Sequence, residues 1–133
     1  MATVVDYYSG TSALDADVLM VGHHGAKNAT TDDFLDAVSP KYAIISCGHW
    51  SDSLTGHKIF NTFHYGHPTV TCLDMLEAKV DGDRPTPVTI KAGLGSKNFI
   101  DKTITKRIYS TAWDDDIVIK ATSDGTYSAF LMH

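Results

Sequence analysis

No apolar stretch in this chain approaches the roughly 20 consecutive residues that a membrane-spanning helix needs. A secretory leader is not expected either. Met1 to Gly10 carries Asp6, Tyr7 and Tyr8 where a basic segment and an apolar run would stand, so no signal peptide is expected. Positive charge is scarce: 11 Lys and Arg face 16 Asp and Glu, for a formal net charge of -5. A broad phosphate-binding surface needs clustered cations, so that class is disfavoured. A nuclease is not thereby excluded, because a bound metal supplies positive charge locally. Cysteine is limited to Cys47 and Cys72, far apart and in no Cys-x-x-Cys pattern. Free thiols in a reducing compartment are expected rather than a disulfide or a zinc knuckle. There is no internal repeat and no low-complexity segment.

What is there fits a globular chain: 43% of residues are hydrophobic and 20% charged, where a disordered tail would be more polar. A length of 133 residues suits one domain spanning 1–133. Ala16 to Gly22 (ADVLMVG) is a short apolar run rich in branched residues, as in a buried strand. Thr30-Thr31 before Asp32-Asp33 is a helix-start pattern, and Phe34, Leu35 and Val38 share one helical face. Ser39-Pro40 stops that helix. Tyr42 to Ser46 (YAIIS) predicts a second buried strand. Cys47 to Gly66 has no period and reads as a long loop. Pro68 suits the first position of a helix whose apolar stripe is Val70, Leu73, Leu76 and Val80.

Asp81 to Pro87 (DGDRPTP) reads as a turn, and Gly93 and Gly95 interrupt any strand over Val88 to Phe99. Strands are predicted over Thr103 to Thr111, Ile117 to Ala121 and Thr126 to Leu131, the last two joined by a Ser123-Asp124-Gly125 turn. The predicted class is α/β: β-α-β-α, then a β-hairpin or meander, in a mixed sheet with parallel crossovers in the first half.

The residues that could carry chemistry are mostly histidines. His23-His24-Gly25 follows the first buried strand directly, where α/β sheets place functional groups. Imidazole is a good metal ligand on a rigid mount, and Gly25 lets the chain turn without filling the pocket. Histidines at a loop start also serve simply as hydrogen-bonding groups. His49, His57, His64 and His67 form a second cluster, in a loop that can fold onto one metal or be a solvated, histidine-rich segment. His133 falls in the terminal residues, where chains fray. Asp114-Asp115-Asp116 reads as a turn before a strand, because a Ca²⁺ loop needs spaced ligands. Gly93 to Lys97 (GLGSK) lacks the strand-loop-helix setting of a phosphate loop. Ser46 has no evident base, and nothing places Trp50 or Trp113 in core or rim.

Taken together, several of these segments resemble one family. Ala13 to Gly25 (ALDADVLMVGHHG), Lys27-Asn28, Phe34 to Val38, Ser39 to Ser46 (SPKYAIIS), Gly48 and Gly66-His67-Pro68 occur in the order seen in ComEC-type competence proteins. They are similar to the C-terminal half of that family's metallo-β-lactamase domain, as are Asp116 to Ile119 and Ser123 to Gly125. The resemblance covers most of the chain from Ala13 onward. It implies half of an αββα sandwich, a metal-dependent hydrolase of the phosphodiesterase or nuclease type, and a role in DNA uptake. It implies zinc, with His24 as the late ligand and His23 as the alternate. His67, His64 and Lys27 become the residues expected to contact substrate phosphate.

Two departures qualify that expectation. No His-x-His-x-Asp-His occurs anywhere, and Asp6 is the only acidic residue before Asp15. One or two histidines cannot hold a catalytic dinuclear centre. The Gly48 to Gly66 loop is also expanded. No catalytic residue is therefore expected in this chain, and the isolated chain is expected to be inactive. It would complete itself with a missing N-terminal half-domain, or pair as a homodimer over an exposed sheet face. A metal- or ligand-binding homodimeric module using loop 49–67 is the alternative. The compartment would be the cytoplasm for a soluble relative, and outside the membrane for a true ComEC.

Overall fold

A computed structural model describes residues 3–49, 65–95 and 98–132. The first element is a short helix α1 (Val4–Tyr7), which the sequence reading missed. Thr3 and Asp6 cap it reciprocally, each side chain bonded to the other's backbone N–H. Strand β1 (Val18–Met20) follows, then a single 3₁₀ turn over His23–Gly25. Helix α2 (Asp32–Val38) starts where expected: Thr31 accepts a hydrogen bond from Phe34 N–H at 3.2 Å, and Asp32 and Asp33 sit at the positive end. Ser39 ends it in the left-handed region, ahead of Pro40.

Strand β2 (Tyr42–Ile45) is buried at every residue. Helix α3 (Val70–Lys79) begins two residues later than the proline suggested. Thr69 is the N-cap, accepting from Cys72 N–H at 3.2 Å, so Pro68 lies outside the helix. Cys47 and Cys72 are both buried and free, and burial pushes the Cys72 thiol up to about 11.

Five strands follow α3, more than the sequence reading foresaw: β3 (Asp83–Gly95), β4 (Asn98–Lys106), β5 (Ile108–Ser110), β6 (Asp116–Ala121) and β7 (Tyr127–Met132). The DGDRPTP segment is not a turn but the irregular start of β3. Asp83 pairs with Lys106, and the next pair is Val88 with Ile104. Both prolines fall in the intervening bulge, where a missing N–H breaks no ladder bond. The predicted strand over Thr103 to Thr111 is two strands that part at Arg107. β4 pairs antiparallel with β3, and β5 pairs parallel with β2. Arg107 is held at the switch, its guanidinium 5.1 Å over the Tyr42 ring and packed on the backbone at Gly82.

The architecture is therefore α/β, with parallel and antiparallel pairing in separate sheets, many strands and few helices. The central sheet is parallel, in order β1-β2-β5. One face carries Ala43, Ile45 and Ile108 into the main core with Leu35, Leu73, Leu76, Ile90 and Ile104. The other carries Tyr42, Ile44 and Tyr109 against the β6–β7 hairpin, which contributes Ile117, Ile119, Tyr127, Ala129 and Leu131. Alternation along β6 and β7 follows the expected two-residue period. Glu77 on α3 ties helix to sheet: its carboxylate accepts from the N–H groups of Thr105 and Lys106 (both 3.0 Å) and from the Thr105 hydroxyl (2.8 Å).

Asp114 has a role that the sequence reading did not foresee. As expected it lies in the bend before β6, and it is also half of a buried ion pair. Its Oδ1 accepts from Arg84 Nη2 at 2.7 Å, and its Oδ2 from Ser110 N–H at 3.1 Å. Arg84 also donates to the carbonyls of Thr86 (2.8 Å) and Ile108 (3.2 Å). This network joins β3 to the β5–β6 connection. Asp114→Ala leaves the Arg84 charge buried and unpaired. It should cost about 3–5 kcal/mol in urea unfolding, while Arg84→Met with Asp114→Leu recovers most of the loss.

Candidate functional site

His23 and His24 stand at the carboxyl end of β1, in the 3₁₀ turn. His23 (φ 46°), His24 (φ 54°) and Gly25 (φ 78°) are three consecutive residues in the left-handed region. For the two histidines this backbone costs about 1–2 kcal/mol each. Surrounding bonds hold it: Gly25 N–H donates to the Gly22 carbonyl at 3.1 Å, and Ala26 N–H to the His23 carbonyl at 3.0 Å. Gly25 is required for a second reason. A Cβ there would lie 2.8 Å from Pro68 Cβ, so only glycine lets the turn rest on the Gly66-His67-Pro68 segment.

The two rings are fixed differently. His24 Nδ1 lies 2.7 Å from the Ser46 carbonyl. A carbonyl has no hydrogen to give, so Nδ1 carries the proton and the Nε2 lone pair is left available. A carbonyl behind Nδ1 is also the support that ligating histidines use. His23 Nδ1 lies 2.9 Å from Asn28 Oδ1 and donates to it on the same logic. Two sequence neighbours thus have their tautomers set by two partners, one from β2's exit and one from the following turn.

His67 joins them from across the fold. Its ring centroid is 5.4 Å from that of His23. Cys47 Sγ donates to the His67 carbonyl at 3.1 Å, and Thr69 N–H and Oγ1 donate to the Gly25 carbonyl at 2.9 and 3.1 Å. The segment is also clamped from its far side. A Cβ on Gly93 would fall 2.0 Å from the Gly66 carbonyl oxygen, so β3 meets it backbone to backbone. His67 Nδ1 is buried with no hydrogen-bond partner among the described residues. Burial, then the charges of His23 and His24, hold the His67 pKa below its ordinary value.

These residues border a cleft of about 440 Å³. His23, Lys27, Asn28, His67 and Thr69 supply its polar wall, and Tyr65, Ala26 and Leu94 its apolar one. The structure therefore gathers three of the residues picked out from sequence: His23, His67 and Lys27. His24 lies in the same turn, but its ring is tied to Ser46, and it is not among the cleft's lining residues. His64 and His57 fall outside the described residues, as do Trp50 and His133. His49 is half-buried. The sequence reading missed Tyr65, Asn28, Thr69 and the Gly93–Gly95 strand end. Gly93-Leu94-Gly95 was the available signal, and its use is close backbone approach, not a phosphate loop.

The metal that the resemblance implies is zinc. Zinc needs at least three protein ligands. Among the described residues no group of three or more His, Cys, Asp or Glu converges on one point. These residues do not fit a complete metal site.

Comparison with known proteins gives partial likenesses. The chain is 40% identical over 57 residues to ComE operon protein 3 of Bacillus subtilis, covering 43% of this chain and 6% of that protein. It is 54% identical over 35 residues to Recombination protein 2 of Haemophilus influenzae, 26% of this chain and 4% of that protein. It is 43% identical over 47 residues to Competence protein ComA of Neisseria gonorrhoeae, 35% of this chain and 6% of that protein. The chain thus spans only a small fraction of these relatives, and over that part it is related to competence proteins. No family model matches the chain. No solved structure matches it.

The depressed His67 pKa has a consequence for stability. An unfolded histidine takes up a proton near pH 6.5, before folded His67 does. This residue's contribution is therefore present above that pH and is lost as pH falls through the folded pKa. Urea midpoints measured from pH 7.5 to 5 should fall for the wild type, and fall less steeply for His67→Gln.

Proposed function

We propose that this chain is the second half of a metallo-β-lactamase-type hydrolase of the ComEC competence class, acting on phosphodiesters of nucleic acid. In this reading the site is incomplete without residues from a first half-domain. Relatedness to competence proteins supports the class. One observation carries the reading of the site: His24 is mounted at the end of a parallel strand, with Nδ1 tied to the Ser46 carbonyl at 2.7 Å. That leaves Nε2 prepared as a ligand for a metal completed from elsewhere. His23 is the alternate donor. Zinc, when held by a full ligand set, would supply a nucleophilic water and a Lewis acid. This chain's own share is to present His24 and to orient the substrate phosphate with His67 and Lys27, with His64 as a further contact.

No helix among the described residues is long and apolar enough to cross a membrane. The domain would lie in the cytoplasm if it works as a soluble relative, and outside the membrane as part of a full ComEC protein. Pure chain supplied with Zn²⁺ or Mn²⁺ should show no turnover of bis(p-nitrophenyl) phosphate above the metal blank. Robust turnover that His24→Ala abolishes would overturn the half-site reading.

A homodimeric binding module is the second reading. Val118 and Phe130 are 45% and 52% exposed as a cross-strand pair on the outer face of the β6–β7 hairpin. Apolar pairs on an open sheet face favour association. Light scattering at micromolar concentration should give twice 14.5 kDa for the wild type and a shift toward monomer for Val118→Lys with Phe130→Lys. A wild-type monomer would count against this reading.

A further inference from the structure

Carboxylates outnumber cations in the whole chain by 16 to 11, yet among the described residues no Asp or Glu lines the cleft beside His23 and His67. Lys27 is on its wall, exposed, and makes no ion pair among the described residues, whereas Lys41, Lys79, Lys91, Lys102 and Lys106 each pair with an aspartate. The buried Nδ1 of His67 adds an unsatisfied polar atom in a residue of the same wall. A lysine ammonium without an acidic neighbour, beside polar groups free to hydrogen-bond, selects an anion.

The apolar part of the lining has a different chemistry. Tyr65 is 66% exposed and Leu94 54% exposed, and both line the cleft. Each is the chain neighbour of one glycine in the Gly66–Gly93 contact, so the backbone seam that closes the fold also sets these two apolar side chains on the rim. An exposed aromatic ring kept in a cleft is a platform for a flat partner. A volume of about 440 Å³ is in the small-ligand range and admits one nucleotide.

We infer that the cleft holds a single unpaired nucleotide unit, its phosphate against Lys27 and His67 and its base stacked on Tyr65 beside Leu94. This rests on the reading of the chain as a phosphodiester-handling competence domain, and narrows it to single strands and strand ends. A base inside a duplex has both faces stacked and its edge paired, and offers Tyr65 nothing until it is unstacked. Free nucleotide and strand end share the same recognition chemistry, a phosphate joined to a flat base, and are separated by the probes used.

The test is fluorescence anisotropy of a labelled ten-residue oligothymidylate against the full chain in EDTA, with competition by thymidine monophosphate, thymidine, inorganic phosphate and a fully paired hairpin. The single strand should bind at least tenfold more tightly than the hairpin. Thymidine monophosphate should compete better than phosphate or thymidine alone, which identifies phosphate and base together as the ligand. Stronger binding of the oligomer than of the monophosphate assigns a strand as the natural source, and equal binding a free nucleotide. Tyr65→Ala should weaken binding roughly tenfold and Tyr65→Phe should preserve it, because stacking needs the ring and not the hydroxyl. Tyr65 is exposed, so thermal melts of both variants should match the wild type. Lys27→Ala should lower affinity and flatten its salt dependence. Equal binding of hairpin and single strand, phosphate competing as well as the monophosphate, or unchanged affinity in Tyr65→Ala would each overturn the inference. Turnover by the pure chain would overturn the half-site reading and leave this one standing.

Discussion

β2 shows no side chain to solvent, and a four-residue strand buried on both faces must be covered twice. That constraint organises the molecule. Ala43 and Ile45 call for the layer made by α2, α3 and the β3–β4 pair. Tyr42 and Ile44 call for the β6–β7 hairpin on the other side. Its hydrogen-bonding edges are taken by β1 and β5, both parallel to it. Parallel neighbours put the carboxyl ends of β1 and β2 side by side. That is why Ser46, leaving β2, can hold the ring of His24, leaving β1.

Two glycine contacts then set what lies beyond the strand ends. Gly25 rests on Pro68, and Gly93 meets the backbone at Gly66. Between them the Gly66-His67-Pro68 segment is gripped from both sides, and His67 is delivered next to His23. The polar wall of the cleft comes from the β1–α2 connection and the start of α3, the apolar rim from Tyr65 and the end of β3. A side chain on either glycine would push these walls apart, because the closest approaches leave no room for a Cβ. The left-handed backbone of His23 and His24 is a local cost in the same place.

The site's chemistry is one-sided. Histidine, lysine, asparagine and threonine line the cleft, while the carboxylates among the described residues serve ion pairs, caps and hydrogen bonds elsewhere on the fold. Arg84 and Asp114 form one such pair in the interior, Lys79 and Asp36 another at the surface between α2 and α3. The chain is related to competence proteins, and among its described residues no group of three or more metal donors comes together.

Local pattern determined much of this before any fold was known. Thr31 with two aspartates and the Leu35–Val38 face located α2. The buried run YAIIS located β2, and Ser123-Asp124-Gly125 located the final hairpin. Each of these is written within about ten residues, where period and capping act. His23-His24-Gly25 at a strand end and Gly66-His67-Pro68 were legible as a family pattern for the same reason. Tertiary structure alone decided the rest. The strand over residues 103–111 splits because Arg107 is pinned on Tyr42 and Gly82, contacts made across the fold. Asp114 is buried because Arg84, thirty positions earlier, reaches it. Tyr65, Thr69 and Gly93 come to line one cleft with His23 only when β3 closes on the segment before α3. No local rule carries that information, since it depends on which distant backbones can touch.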